Sequence, residues 1–207
     1  MGDFLKKIEI LQQDDHRFYH QCRINQTLHL ISALSFLVAY ALLFVNPAAA
    51  GMVGWLVGMV TRQSGHLFFE PRGYDSINQA TYAHKESIKA GYNMRRKAVL
   101  ISVWLALPTL LALSPSLFGS IEPAVGLSGW MHDVGLLWLA LGAGGLLFRT
   151  LHLFFLRGPA WGMAWFCKIL LDPFHNVANY WNSPIALLRG QRYDPLDSCK
   201  KELHTSL

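Results

Sequence analysis

The chain has 207 residues, 52% of them apolar, and sets 18 Lys and Arg against 13 Asp and Glu for a formal net charge of +5. Two uncharged apolar runs of membrane-crossing length, a third whose only charge is Asp133 near its start, and a fourth shorter one argue against a soluble helical protein, whose core helices seldom run about 20 residues without a charge. The basic residues flank these runs, so the excess reads as charge beside anionic lipid and not as a nucleic-acid surface.

The N-terminal stretch Phe4–Gln26 is polar and helix-compatible, with apolar Phe4, Leu5, Ile8, Ile10 and Leu11, and is expected at the membrane surface. Spans over about 27–45 and 47–69 follow as a hairpin around Asn46-Pro47, and Gly51, Gly54 and Gly58 form a small-residue stripe suited to close helix packing. Ala48-Ala49-Ala50 looks like a signal cleavage site. The 26 polar residues before the run and the length of the run argue against cleavage. Residues 70–97 read as a polar segment, with a turn at Pro71-Arg72-Gly73 and a polar helix over Asp75–Asn93. The third span covers about 98–118 with a kink at Pro108, and the fourth about 130–156. Arg157-Gly158-Pro159 ends that span. Ala160–Leu171, rich in Trp and Phe, reads as an interfacial helix, and Asp172-Pro173 as the start of a tail.

The expected architecture is all-α: a single integral membrane domain over 1–207, a four-helix bundle with cytoplasmic and interfacial helices. Every Lys and Arg lies in Met1–Gln26, Thr61–Lys97 or Arg149–Leu207. The positive-inside rule then puts both termini and the middle segment on the cytoplasmic side, in a bacterial inner membrane or the endoplasmic reticulum. Cys22, Cys167 and Cys199 form no CxxC pair and are expected as free thiols.

Ionisable residues at membrane depth are costly and mark functional sites. His29, His66, Arg149 and His152 are expected at one depth near the cytoplasmic interface. His16 and His20, Asn25 and His29, and His66 and Glu70 are each four apart, so each pair shares a helix face. Two helices of a hairpin, each presenting imidazole and an oxygen group, can enclose a metal of the Fe, Zn, Cu or Ni type. His84, in the middle segment, joins the candidates because that segment can fold back over the site. His132 falls on the opposite side, and His175 and His204 on the tail. A b-type haem held by His152 with His29 or His66 is a competing reading. A non-enzymatic module that binds lipid or a partner through its basic face is another.

Phe18-Tyr19-His20, Asn25, His29 at the start of a span, then Gly65-His66, Phe69-Glu70 and Arg72 together resemble the membrane 2-hydroxy fatty acid dioxygenases of fatty acid α-oxidation. The resemblance covers Phe18–Arg72. Gly73-Tyr74-Asp75 departs from it, and the second half of the chain has no counterpart in it. It implies an Fe(II) enzyme that uses O2 to shorten a fatty-acid-like substrate, a 2-hydroxy acid, by one carbon among membrane lipids. His20, His29 and His66 would then be metal ligands, and Tyr19, Asn25 and Glu70 ligands or supporting catalytic groups. Arg72, Arg95 and Arg149 are each able to pair with the substrate carboxylate, and the sequence does not choose among them. The number of chains in the assembly is not legible.

Overall fold

The computed structural model describes residues 2–194, which leaves Cys199 and His204 outside the described residues. It is helical, with no strand among those residues beyond the isolated bridges Cys22–Tyr193 and Asp75–Ala80. Helix α1 (Gly2–Tyr19) ends at His20 and Gln21, and α2 (Arg23–Leu42) begins directly after Cys22. Asn46 caps α3 (Pro47–Val53) by accepting a hydrogen bond from the Ala49 amide, with Pro47 in the first turn where no amide is needed. The helical backbone then runs on as a π segment (Gly54–Met59) and α4 (Val60–Phe68). Helices α5 (Tyr82–Ile88), α6 (Met94–Leu113), α7 (Gly126–Arg157), α8 (Pro159–Tyr180) and α9 (Ser183–Leu188) complete the described chain.

Three helices, α2, α6 and α7, are long and apolar enough to cross a membrane. They turn large apolar side chains outward, among them Leu34, Val38, Val103, Leu105, Leu147 and Leu151. Such a surface is unfavourable in water and suited to lipid. The hairpin of α2 with α3, the π segment and α4 packs on itself, α3 packs on α7, and α8 packs on α2, α7 and α1. The glycine stripe serves two neighbours. A Cβ on Gly51 would lie 2.0 Å from the Gly135 carbonyl oxygen of α7, whereas Gly54 and Gly58 face Phe36 of α2. Trp55, Trp104 and Trp138 stack in a second layer, with the Trp55 indole donating to the Trp138 carbonyl.

Two sequence expectations change. The polar helix expected over Asp75–Asn93 is confined to α5, because Asp75 instead ties a turn, accepting from the Ile77 and Asn78 amides and the Asn78 and Gln21 side chains. The helix expected to stop before Asp172-Pro173 runs on to Tyr180 with Pro173 inside it. A proline inside a helix removes a backbone hydrogen bond and costs about 3 kcal/mol. Here α8 carries a buried polar face of Lys168, Asp172, Asn176 and Tyr180, and satisfying that face against α1 and α2 outweighs the break.

Candidate metal centre

The break between α1 and α2 sets His20 on the end of one helix and His29 two turns into the next. The imidazoles are brought together by α4, which crosses α2 at Gly65. A Cβ there would lie 2.1 Å from Asn25 Oδ1 and 3.5 Å from His29 Cδ2. Only a glycine lets the two backbones approach this closely. His66, the next residue, thereby meets His29 and His20. Ring centroids are 4.0 Å apart for His20 and His29, 4.8 Å for His29 and His66, and 5.4 Å for His20 and His66. One nitrogen from each of the three lies within 4.8 Å of the others, and a single ion with metal–nitrogen bonds of about 2 Å would draw them closer together.

The chemistry of these nitrogens fits a cation. All three imidazoles are buried, His29 completely. His20 Nε2, both nitrogens of His29 and Asn25 Oδ1 have no hydrogen-bond partner among the described residues. Each buried polar atom left unpaired costs about 1–3 kcal/mol. A divalent ion accepted by the nitrogens removes that cost at several atoms together. The outer nitrogens of His20 and His66 are held as in metal sites, where the far side of a ligating imidazole is anchored by a second group. His66 Nδ1 lies 2.7 Å from Glu70 Oε2, and His20 Nδ1 lies 3.0 Å from the Tyr180 hydroxyl. The Tyr180 hydroxyl also lies 3.2 Å from His16 Nδ1, so His16 on α1 and His20 just past its end share one hydroxyl.

Electrostatics agree with neutral, electron-pair-donating imidazole. Burial holds the His20 imidazole well below its ordinary pKa, with the Asp15 carboxylate opposing only in part. Burial also raises the Tyr180 phenol well above its usual range, so it stays protonated beside His20. Burial raises the Glu70 carboxyl as well, against the opposing pull of Lys89 and Lys97. Imidazoles with a nearby carboxylate suit Fe, Zn, Cu or Ni and do not by themselves choose among them.

The other expected site residues fall as follows. Tyr19 is buried but spends its hydroxyl on the Lys85 carbonyl, 2.7 Å away, with Lys89 over its ring. Asn25 donates to the Tyr19 carbonyl at 2.7 Å and turns its unpaired oxygen toward Gly65. Glu70 reaches the cluster through His66. His84 does not join it: α5 buries Lys85, and His84, one residue earlier, lies on the exposed side. His152 is paired with Arg149 at 3.0 Å and is not part of the cluster, and His132 lies apart with an exposed side chain. His175, expected on a tail, sits on α8 against Asn179.

A cavity of about 410 Å³ opens beside the cluster, a size ordinary for a small-molecule site. Of the three histidines only His66 lines it. The π segment contributes Gly54, Trp55 and Met59 to its wall, in keeping with the frequent use of such segments at functional sites. None of the arginines expected to meet a carboxylate lines it. Arg72 donates to the Leu67 carbonyl, Arg149 donates to the Ala90 carbonyl, and Arg95 is exposed. Sequence reasoning missed Lys97 and Arg62, which do line it, and the Lys168–Asp172–Asp15 ion network, whose Asp15 and Lys168 line it as well. Lys97 stands at the junction of a basic cluster and a span, where it read as topological flanking charge.

Comparison with protein-family models, with curated proteins and with solved structures finds no match for the chain. Function is therefore read from the site.

Proposed function

We propose that the protein is an integral membrane Fe(II) enzyme that uses O2 to shorten a 2-hydroxy fatty acid, or a similar lipid acid, by one carbon. The observation that carries the reading is the buried His20–His29–His66 cluster, with unpaired nitrogens, whose His66 lines a largely apolar cavity. The motif resemblance over Phe18–Arg72 supports iron and a 2-hydroxy acid within that frame. The helical run from Pro47 to Phe68 serves as a fourth crossing beside α2, α6 and α7, with both termini cytoplasmic, as the segregation of Lys and Arg supports.

In this reading His20, His29 and His66 would hold the metal, which would supply the binding of a 2-hydroxy carboxylate and of O2. Glu70 fixes the orientation of His66, and Tyr180 that of His20, so neither ring turns away. The apolar wall takes the acyl chain and keeps water from the reacting carbons. With the lost carbon leaving as CO2 and one water formed, a single O2 balances the change and no further reductant is needed.

The test is O2 uptake and product analysis with iron-loaded protein. Release of an acid one carbon shorter from 2-hydroxypalmitate, with little turnover of palmitate, is expected. Losing the hydroxyl removes a metal-binding group, whereas losing one methylene from the tail costs only about 1 kcal/mol, so chain-length dependence is gradual. Equal turnover of hydroxylated and plain acids would refute the chelate.

A further inference from the structure

One cation in the cavity has no hydrogen-bond or ion-pair partner among the described residues. Lys97, in the first turn of α6, lines the cavity and is only 9% exposed. The other cations on that wall are matched: Arg62 to Asp172 at 3.2 Å, Lys89 to Glu70 at 3.3 Å and to Glu86 at 3.2 Å, and Lys168 to Asp172 at 2.7 Å. Lys97 Nζ has neither a hydrogen bond nor an ion pair among the described residues. Glu70, a carboxylate within its electrostatic reach, is already engaged by His66 and Lys89. An ammonium held in this largely apolar cavity without a counter-charge is unfavourable, so this position is one that a bound anion completes. Beyond it the wall turns apolar through Phe36, Trp55, Met59, Leu100, Leu139 and Leu146. A ligand that fits both ends is a single-chain amphiphile with an anionic head.

We infer that Lys97 is the anion anchor of this cavity, holding the carboxylate of a free fatty acid whose chain lies along the apolar wall. The inference rests on the reading of the site as one for a lipid acid, but it needs neither the metal nor the 2-hydroxyl. A single unpaired ammonium suits a monoanionic carboxylate better than a phosphate monoester, which carries nearly two charges. The consequence is that plain fatty acids, including the shortened product, occupy the same anchor without reacting.

The experiment uses full-length protein in phosphatidylcholine nanodiscs, stripped of metal with a chelator and photolabelled with diazirine-bearing palmitate. Palmitate, hexadecanol and a lysophosphatidic acid compete for labelling. Palmitate is expected to compete better than hexadecanol by about tenfold or more, the scale of one charge-assisted hydrogen bond. Lys97→Met should bring palmitate down to the level of the alcohol and leave the alcohol unchanged, and Lys97→Arg should keep the acid preference. Equal competition by acid and alcohol in the wild type would overturn the assignment, as would an acid preference that survives Lys97→Met. So would equal loss of both ligands in that variant, which would mean that Lys97 shapes the cavity without reading the head. Stronger competition by the lysophosphatidic acid would make this a phosphate site. Because no metal is present, an acid preference found together with no O2 uptake by the iron-loaded protein would leave the anchor standing and sink the dioxygenase alone.

Discussion

Gly65→Ala perturbs the centre without touching a ligand. The added methyl would lie 2.1 Å from Asn25 Oδ1 and 3.2 Å from Asn25 Cγ, where an ordinary contact is about 3.5 Å. Asn25 has no room to yield: it is fully buried, and its amide is tied to the Tyr19 carbonyl at 2.7 Å. The strain is relieved by moving α4 away from α2, which carries His66 away from His29. Overpacking of this kind costs about 1–3 kcal/mol. If most of that is taken up by the cluster, metal affinity falls by about 5- to 150-fold, at about 1.4 kcal/mol per factor of ten. Chelator-competition titration of the purified protein reads this directly. Gly144→Ala is the control, since a Cβ there meets nothing within 4 Å, and it should leave affinity unchanged. Wild-type affinity in Gly65→Ala would refute the close crossing of α2 and α4 as the origin of the site.

Glu70→Gln and Tyr180→Phe remove the groups behind His66 and His20, and each should weaken metal binding by about 10- to 100-fold in the same titration, with the ligands themselves intact. Lys168→Met leaves Asp15 and Asp172 without their shared ammonium. Breaking such a buried network costs about 3–5 kcal/mol, so the midpoint of thermal unfolding should drop by about 6–20 °C, and an unchanged midpoint would show the network to be idle. For topology, cysteines introduced at Ser76 and Ser120 should react with a membrane-impermeant thiol reagent from opposite faces. Labelling of both from one face would overturn the four-crossing arrangement.

The apolar helices and the histidine cluster were legible because both rest on local rules. Spans follow from runs of apolar residues, and the cluster follows from residues spaced four apart on helices joined by a tight hairpin. The pair His66 and Glu70 forms its hydrogen bond even though Glu70 lies just past the end of α4. What the sequence hid was decided by partners far along the chain. Pro173 reads as a helix end until α8 is seen to bury Lys168 and Tyr180 against α1, which is more than 140 residues earlier in the chain. His84 is a plausible fourth ligand until Lys85 takes the buried side of α5. Lys97 looks like one more flanking charge until the folded hairpin leaves it lining a cavity, with no carboxylate paired to it among the described residues.

The central claim is that three histidines from two helices and the junction before them hold one metal ion. Elemental analysis of protein loaded anaerobically with Fe(II) and freed of excess metal tests it most directly. The account predicts one tightly held iron per chain in the wild type and in His132→Ala, and near-complete loss in His20→Ala, His29→Ala and His66→Ala, with each variant still folded by circular dichroism. Iron retained in His29→Ala, whose imidazole packs against both of the others and is fully buried, would contradict it.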